Sequence, residues 1–596
     1  MASLRPPGLG PLVGATADRT CRIWIRAGDP ADRGVELDAD RRTVGVIGLL
    51  SADRKQVKEA WYFRLQREFD RTGTFLIGEH VQLGFYPADY REQIAKGVIK
   101  EFPNPLPPEA IPVQLEPNTE YTVRCATLTI DDPMPNAASL QDWELIKRLP
   151  DINNIKNELL GLNPNECEAS FRTFPAEGTT EARMSFLLGS CRYPGLLWKI
   201  KEADRIFEPM QAHFKDKSLG ELARYTIMCG DQIYADMLNR TIPIGRADTF
   251  EEFQERYMTA YAGPNLRKLL RNSTTFMILD DHEIEDNWTQ DRLSEEGKHQ
   301  LFNIAIGAYQ SYQWSHSPRT FGQLFYYKFE CGGYPTFVLD TRTQRFKDDR
   351  VGLRDNHMLG RPNIDPDHPG QLQRLLDWLL EQQTRRGNVP KFIVTSSVFV
   401  PNDMSERIAP VQGLFGASGG NRTKAPANML FGEYWNAERR DDSDSWPAFP
   451  ATRLSLLKHI VENKIQNVVF LAGDIHCSNV ATIDFDGKDG KGLKAFSITS
   501  SAFYWPFPFA DGDPNSYVHD SRSSNQSDPF PIEGTNAVMH YKSFGYTQED
   551  NFTRLDLDKT NRTLTVRVFD REGNPVLVGP DGSKELVNTL PLVPWD

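Results

Sequence analysis

The sequence predicts an α/β fold that is preceded by a smaller, all-β sandwich domain. From residue 181 onward, short apolar segments typical of strands alternate with helix-like segments such as 198–212 and 371–384, which is the pattern of α/β architectures. Before residue 178, the apolar segments show strand-like alternation instead. The length of 596 residues exceeds what one ordinary core supports, so at least two domains are expected.

The composition is that of an ordinary globular protein with an acidic surface. Hydrophobic residues make up 39% of the chain, charged residues make up 25%, and the formal net charge is −13. The acidic balance argues against a stable nucleic-acid complex, and no apolar run is long enough to span a bilayer. The seven cysteines are odd in number and irregularly spaced, which argues against a disulfide scaffold.

The first 178 residues are predicted to form an Ig-like β-sandwich. Residues 10–28 contain apolar alternation typical of strands. Tyr121 lies between a turn and a further strand-like segment, which resembles the tyrosine corner of Ig-like sandwiches. Residues 170–174 are expected to supply the strand that closes this domain.

Insertions, a linker and a second domain complete the predicted organisation. Polar and partly helical insertions are expected near residues 51–100 and 136–160, and a short linker is expected at 175–180. The second domain is assigned to residues 181–596. Its last strands are expected from about residue 550, where two alternating segments read as a hairpin.

Four apolar segments of the second domain each end in a short polar loop. The segments and their loops are 184–188 before Gly189-Ser190-Cys191, 225–229 before Gly230-Asp231, 275–279 before Asp280-Asp281-His282-Glu283, and 467–472 before Gly473-Asp474-Ile475-His476. Because open α/β sheets bind ligands beyond the carboxyl ends of their strands, we expect these loops to meet at one sheet edge. An aspartate able to bridge two cations, surrounded by His, Asp, Asn and Cys, is typical of dinuclear metallohydrolases.

The ordered motifs GSC, GDQIYAD, DDHEIEDNW and GDIH, with Leu339-Asp340-Thr341-Arg342, resemble those of the PhoD-like alkaline phosphatases and phosphodiesterases. The resemblance covers residues 181–545 and places the chain among the calcineurin-like metallophosphoesterases. It implies a metallophosphoesterase-type β-sandwich flanked by helices, and hydrolysis of small phosphate mono- or diesters by a metal-bound hydroxide at a dinuclear site. Members are often exported, but residues 1–7 carry neither an apolar signal segment nor twin arginines, so localisation stays open.

The resemblance also implies a set of metal ligands. The candidates are Cys191, Asp231, Tyr234, Asp281, Asn287, Asp474 and His476. Asp231 is expected to bridge both metals. The cysteine and tyrosine match iron ligands of the family, so Fe³⁺ is expected with them and with His476. The remaining ligands are oxygen donors, which suit Ca²⁺ or another hard divalent ion better than zinc.

Three further residues are candidates for direct contact with substrate. His282 is expected to contact the phosphate or protonate the leaving group, with Asp280 or Glu283 orienting its ring. Arg192 and Arg342 are candidate phosphate clamps, because a guanidinium matches phosphate oxygens bidentately. Both arginines are alternatively structural ion-pair partners.

Several alternatives stay open at this point. The aromatic segment 503–509 is either a surface loop folded onto a core or a site wall that recognises a flat leaving group. A purple-acid-type phosphatase is a rival function, but its ligand set is richer in histidine than the motifs of this chain. A non-catalytic binding protein with a decayed site is the rival from another class, and the intact ligand types at all four loops argue against it.

Overall fold

The computed structural model describes most of the chain. The described residues are 4–28, 43–66, 69–78, 113–129, 148–194, 200–236, 246–320, 324–347, 356–362, 369–401, 444–506, 517–523, 530–579 and 582–595. Parts of both predicted insertions, 79–100 and 136–147, lie outside these ranges. Within this part of the chain, no helix combines the length and apolarity needed to cross a membrane.

Among the described residues of the N-terminal part, eight strands form two antiparallel sheets. They are β1 (Leu4–Arg5), β2 (Leu9–Thr16), β3 (Thr20–Arg26), β4 (Thr43–Leu50), β5 (Val57–Arg64), β6 (Thr72–Gly78), β7 (Glu120–Thr129) and β8 (Glu168–Arg172). One sheet has the order β1-β7-β4-β5 with β8 paired to β7, and the other has the order β2-β3-β6. Ile23, Ile47 and Phe75 from the two sheets share one buried core, so the sheets form a sandwich.

Two details bear on the predictions for this region. Residues 51–78 were predicted to belong to an insertion, but β5 and β6 are strands of the two sheets, so this part of the prediction is wrong. The Tyr121 hydroxyl accepts a hydrogen bond from the backbone N–H of Glu116 at 2.8 Å, which is the contact that a tyrosine corner requires. Assignment of the sandwich to the Ig-like class stays a prediction.

The described residues of the C-terminal part contain sixteen strands. They are β9 (Arg183–Gly189), β10 (Ala223–Met228), β11 (Thr274–Met277), β12 (Tyr327–Cys331), β13 (Tyr334–Val338), β14 (Lys391–Val394), β15 (Val468–Ala472), β16 (Ser478–Asp486), β17 (Lys494–Thr499), β18 (Phe530–Ile532), β19 (Ala537–Thr547), β20 (Asn551–Asp558), β21 (Thr563–Asp570), β22 (Leu577–Val578), β23 (Lys584–Glu585) and β24 (Val587–Pro591). They build a six-stranded sheet ordered β11-β10-β9-β20-β21-β24, an eight-stranded sheet ordered β12-β13-β14-β15-β17-β16-β19-β18, and a ribbon of β22 and β23.

The two large sheets pack face to face through an aromatic core. Phe276 of the first sheet stacks on Phe329 of the second, with ring centroids 3.8 Å apart, and Tyr225 meets the same ring edge-on at 5.3 Å. Phe186 contacts Phe392 edge-on at 5.3 Å. The contacts hold the two sheets in a fixed relation, and aromatic pairs of this kind contribute beyond their buried area.

Nine α-helices accompany the strands. They are α1 (Ile152–Gly161), α2 (Pro164–Cys167), α3 (Ile200–Arg205), α4 (Phe207–Met210), α5 (Phe250–Tyr261), α6 (Pro264–Asn272), α7 (Lys298–Tyr312), α8 (Gln371–Arg386) and α9 (Pro450–Glu462), counted over the described ranges. Helices α5 to α7 share a core with the outer face of the six-stranded sheet. Helices α8 and α9 do so with the eight-stranded sheet. The predicted α/β character is therefore confirmed, while the finer metallophosphoesterase assignment stays a prediction.

The four strand-end loops come from two sheets and not from one edge. Strands β9, β10 and β11 are parallel neighbours in the six-stranded sheet, as their apolar sequences predict. Strand β15 belongs to the eight-stranded sheet, where it lies parallel to β14 and β17. The expectation of a single edge is therefore wrong, because sequence pattern identifies a buried strand without identifying the sheet it joins.

Candidate metal centre

The loops after β9, β10, β11 and β15 converge where the two large sheets face each other. Two glycines allow the close approach. A Cβ atom added to Gly473 would lie 2.3 Å from Ser190 Oγ, and one added to Gly230 would lie 2.3 Å from the Cβ of Asp280. Gly230 also has φ of +95°, a conformation that residues with a side chain rarely adopt. The glycines that precede both aspartates therefore set the geometry of the loops.

The first group of predicted ligands surrounds one carboxylate oxygen. The Cys191 thiol and the Tyr234 hydroxyl both donate to Oδ2 of Asp231, at 3.3 Å and 3.4 Å. The same hydroxyl lies 3.2 Å from Nε2 of His476. Candidate ligand atoms of the cysteine, the aspartate and the histidine all lie within 4.8 Å of one another. All four side chains are buried, so the structure brings this predicted set together.

The second group shares Asp231 with the first. Candidate ligand atoms of Asp231 and Asp281 lie within 4.8 Å of one another, as do those of Asp280, Asp281 and Asp474. Asn287 joins through its backbone, whose N–H donates to Asp281 Oδ2 at 2.6 Å. Asp231 thus lies between two clusters of donor atoms, which is the position that a bridging ligand requires.

The backbone of the predicted ligands is unusual. Five of the seven have left-handed φ angles: Cys191 (+55°), Asp231 (+54°), Asn287 (+53°), Asp474 (+74°) and His476 (+52°). Such conformations cost on the order of 1–3 kcal/mol each and cluster at functional sites. The strained residues lie in the loops where the metal-ligand side chains converge. This backbone observation is independent of the side-chain distances and also indicates a functional site.

Three buried ligand atoms of the seven predicted metal ligands lack a hydrogen-bond partner in the described part of the chain. They are Oδ1 of Asp231, Oδ1 of Asp281 and Nδ1 of His476. Buried polar atoms are almost always paired, and each unpaired one costs about 1–3 kcal/mol. Both carboxylates still have their second oxygen occupied by N–H, O–H or S–H donors. The free oxygens are the ligand atoms that bound cations need, so the residues fit the expected metals.

The pKa shifts of the clustered side chains also favour a bound cation. Burial, reinforced by neighbouring carboxylates, raises the pKa of Asp231 and of Asp474 well above the usual range. Burial and the Asp231 carboxylate also raise the pKa of Cys191. Burial lowers the pKa of His476 to about 3, so its ring is neutral and able to ligate. The chain alone does not stabilise this negative charge, whereas a bound cation does.

His282 lies beside the donor cluster and is oriented by a residue that the sequence analysis missed. Its Nδ1 is 2.7 Å from Oδ1 of Asp236, which is fully buried. The ring centroids of His282 and Tyr234 are 4.2 Å apart. Burial lowers the pKa of His282, but Asp236 and Asp281 outweigh it and hold that pKa well above the usual value.

The two residues predicted to orient His282, Asp280 and Glu283, make hydrogen bonds to other groups instead. Asp280 accepts a hydrogen bond from Nε of Arg342. Glu283 accepts from the backbone N–H groups of Asp231 at 3.1 Å and of Gln232 at 2.6 Å. It also accepts from Asp280 N at 2.8 Å, which closes a capping box. The D-x-x-E spacing of a capping box is visible in the sequence and was the available signal.

Arg342 lies inside the centre. Its guanidinium is fully buried, with one terminal nitrogen 2.7 Å from Asp444 Oδ2, 3.5 Å from Asp281 Oδ1 and 3.7 Å from Asp474 Oδ1. Neither terminal nitrogen makes a well-aligned hydrogen bond to a residue that the structure describes. These carboxylates, with Asp280, outweigh burial and raise the pKa of Arg342. The position suits both an ion-pair partner and a phosphate clamp, so the clamp stays a prediction.

Arg192 lies in a different environment. Its guanidinium donates to the carbonyl oxygens of Ala260 and Ala203, and it forms an ion pair with Asp204 at 3.7 Å. Burial lowers the pKa of Arg192 to about 10. Backbone carbonyls of two helices and the Asp204 carboxylate therefore occupy its donors, and these contacts favour the structural alternative over a phosphate clamp.

The aromatic segment after β17 forms one wall of the centre. Trp505 stacks on the ring of His476 with centroids 3.6 Å apart and planes 11° apart, and it meets Tyr193 edge-on at 5.6 Å. Its backbone N–H donates to Asp550 Oδ1 at 2.9 Å. These contacts favour the site-wall alternative for this segment. Its last residues, 507–509, lie outside the described part of the chain.

Comparison with known proteins identifies relatives of this chain. A family model described as "PhoD-like phosphatase" matches residues 207–564. "Alkaline phosphatase D" of Bacillus subtilis (strain 168) is 23% identical over 337 residues, which cover 54% of this chain and 51% of that protein. The match thus spans about half the length of that relative.

A solved structure, "Structure of PhoD", has the same overall fold. It superposes with a TM-score of 0.56 at 15% sequence identity, covering 98% of this chain and 89% of that chain. At this sequence identity, the structural similarity is evidence for the fold alone. The family model, in contrast, covers more than half of the sequence and includes the loops that carry Asp231, Asp281 and Asp474. The chain therefore belongs to the PhoD-like phosphatase family.

Proposed function

We propose that this protein hydrolyses phosphate esters in a metal-dependent reaction. One observation carries the proposal: buried Asp231 lies between two clusters of donor atoms and keeps an unpaired oxygen. A structural carboxylate has no reason to leave that oxygen unpaired, whereas a carboxylate that bridges two cations does. Membership of the PhoD-like phosphatase family supports the reaction class.

The two clusters differ in chemistry, and we assign different cations to them. Cys191, Tyr234 and His476 would hold Fe³⁺ together with Asp231, since a cation deprotonates thiols and phenols that coordinate it. Asp281, Asn287 and Asp474 would complete the second site with oxygen atoms. An oxygen-only set suits Ca²⁺ or another hard divalent cation.

The cations and the chain have separate tasks in the proposed reaction. When bound, the two cations withdraw charge from the phosphoryl oxygens and lower the pKa of a water molecule. Asp236 holds His282 in one orientation at 2.7 Å, so that its other nitrogen can hold a proton for the departing oxygen. Arg342 keeps a fixed positive charge among the ligand carboxylates. This charge would stabilise the negative charge that develops on the phosphate in the transition state.

Trp505 would favour esters that have a planar leaving group. Its indole covers His476 and is only partly buried, so a flat apolar surface borders the donor cluster. We assign it to contact with the leaving group of the ester, because planar groups stack on aromatic faces. A purple-acid-type phosphatase would need more histidine ligands. Among the described residues, His476 is the one histidine of the cysteine-containing cluster, and His282, although its ring lies near Asp231 and Asp281, is held by the Asp236 carboxylate.

The experiment that tests the function measures turnover and metal content together. Asp231→Asn and His476→Ala are expected to abolish hydrolysis of p-nitrophenyl phosphate and of bis-p-nitrophenyl phosphate, and to lower bound iron. The matched control is Asp377→Asn, which changes an exposed aspartate of α8. Full activity in Asp231→Asn would contradict the proposed function.

Two measurements test the identity of the cations. Ferric iron bound to a tyrosinate is coloured, so Tyr234→Phe is expected to bleach or shift the visible band of the purified protein. A calcium chelator is expected to silence the enzyme reversibly while the iron stays bound, because oxygen-only sites exchange calcium readily. A colourless, fully active protein that contains only zinc would overturn the iron assignment.

A further inference from the structure

A second cavity lies far from the candidate metal centre. Its volume is about 520 Å³, and its walls come from β8, from residues 214–222 and from the first residues of β10 and β11. The metal-ligand loops follow the opposite ends of β10 and β11. Strand β10 has six residues and is therefore roughly 20 Å long, so the cavity and the centre lie at opposite ends of a strand of about that length.

The walls of this cavity are basic in a protein that is acidic overall. Six basic residues line it against two acidic ones: Arg54, Arg172, Arg183, Lys215, Lys217 and Arg224 against Glu120 and Glu221. The chain as a whole carries a formal charge of −13. A local excess of four positive charges in a concave surface attracts and concentrates anions.

The arginines and the lysines of the cavity differ in their partners. Three arginines each face a carboxylate, in the pairs Arg54–Glu168 at 2.8 Å, Arg172–Glu120 at 3.6 Å and Arg183–Asp558 at 3.5 Å. Arg224 donates to Asn118 Oδ1 at 2.6 Å. Within the described ranges, the ammonium groups of Lys215 and Lys217 have no ion pair or hydrogen bond. They are the cations that a ligand can reach without displacing another partner.

The surroundings of Lys215 are positive enough to affect its own ionisation. Burial, followed by the charge of Lys268, lowers its pKa, and Arg54 adds to the effect against the opposing carboxylate of Glu120. Neighbouring cations thus repel each other in the apo protein. A bound anion relieves this repulsion.

We propose that this cavity is an anion site for a phosphate group, with Lys215 and Lys217 as its direct contacts. A phosphate carries close to two negative charges at neutral pH, whereas a carboxylate carries one, so phosphate matches the charge excess better. The volume lies in the range of small-ligand sites, and it admits either free phosphate or a phosphorylated small molecule. The proposal does not depend on the reaction at the metal centre.

Calorimetric titration of the full-length protein with inorganic phosphate and with pyrophosphate tests the site. Wild type is expected to show a binding event that the Lys215→Ala/Lys217→Ala variant weakens at least about tenfold, since charge-assisted contacts are lost. The matched control is Lys488→Ala/Lys491→Ala, which removes two exposed lysines after β16. The control is expected to bind as wild type does, and all three proteins are expected to hydrolyse p-nitrophenyl phosphate equally in phosphate-free buffer.

The possible results distinguish free phosphate from a phosphorylated ligand. They also test the anion site separately from the proposed hydrolysis. Tighter binding of pyrophosphate supports a phosphorylated ligand, and equal binding supports free phosphate. Unchanged isotherms in Lys215→Ala/Lys217→Ala, or equal weakening in both double variants, would overturn the anion site. The same titration of Asp231→Asn removes the contribution of the metal centre, so failure of the proposed hydrolysis leaves this test intact.

Discussion

Removal of the Glu283 carboxylate is predicted to destabilise the loop that carries Asp231. Glu283 is fully buried and accepts hydrogen bonds from four backbone N–H groups, those of Asp231 at 3.1 Å, Gln232 at 2.6 Å, Ile233 at 3.4 Å and Asp280 at 2.8 Å. It also accepts from Nε2 of Gln313 at 3.1 Å. One side chain therefore ties the loop after β10 to the loop after β11.

The magnitude follows from the groups left without a partner. Glu283→Ala leaves four buried N–H groups unpaired, at about 1–3 kcal/mol each, so the free energy of unfolding should fall by at least about 4 kcal/mol. That loss is a large fraction of the 5–15 kcal/mol that is typical of a folded domain. Glu283→Gln keeps the size of the side chain and one acceptor oxygen, so its loss should be smaller.

Thermal unfolding combined with metal analysis is the assay. Both Glu283 variants should lower the unfolding midpoint and the metal content, with Ala worse than Gln. Glu296→Ala is the control, because Glu296 is exposed and surface changes of this kind stay within about 0.5 kcal/mol. A Glu283→Ala protein with the midpoint and metal content of wild type would refute the role given to this carboxylate.

Three further predictions concern neighbours of the centre. His282→Ala and Asp236→Asn should each slow turnover without lowering metal content, measured by kinetics and elemental analysis, and loss of metal in His282→Ala would contradict its role. Trp505→Ala should raise KM for aryl phosphates more than for alkyl phosphates, and equal changes would argue against the stacking role. Burial raises the pKa of Asp550 from 3.8 to about 6, so its contribution to stability is complete below pH 3.8 and is lost as pH rises through about 6. The free energy of unfolding should therefore decline by up to about 3 kcal/mol over this pH range. Asp550→Asn should remove this decline, which is followed as the unfolding midpoint at each pH, and an unchanged decline would contradict this assignment.

The strands that deliver the ligands could be predicted because they are short, apolar and followed by glycine or aspartate. Residues 225–229 and 467–472 illustrate this, since β10 and β15 lie within one residue or two of the expected bounds. Strand β5 was missed because it lies at the edge of its sheet. Its Lys58 and Glu59 are exposed, and charges of this kind protect edge strands but resemble an insertion in the sequence.

The contacts inside the centre were harder to predict than its ligand types. Asp236 follows Tyr234 by two residues, and nothing in that spacing shows that its carboxylate reaches His282. Such pairing depends on how the loops after β10 and β11 cross. Arg192 is adjacent to Cys191 in sequence, yet its guanidinium points to α5, because neighbouring side chains in an irregular loop need not share a direction.

Anomalous diffraction from crystals of the purified protein, recorded on both sides of the iron edge, is the most direct test of the dinuclear centre. We predict an iron peak in contact with Cys191, Tyr234 and His476, and a second cation without iron signal beside Asp281. Both should touch Asp231. A single metal ion, or two ions bound without contact to Asp231, would contradict the account.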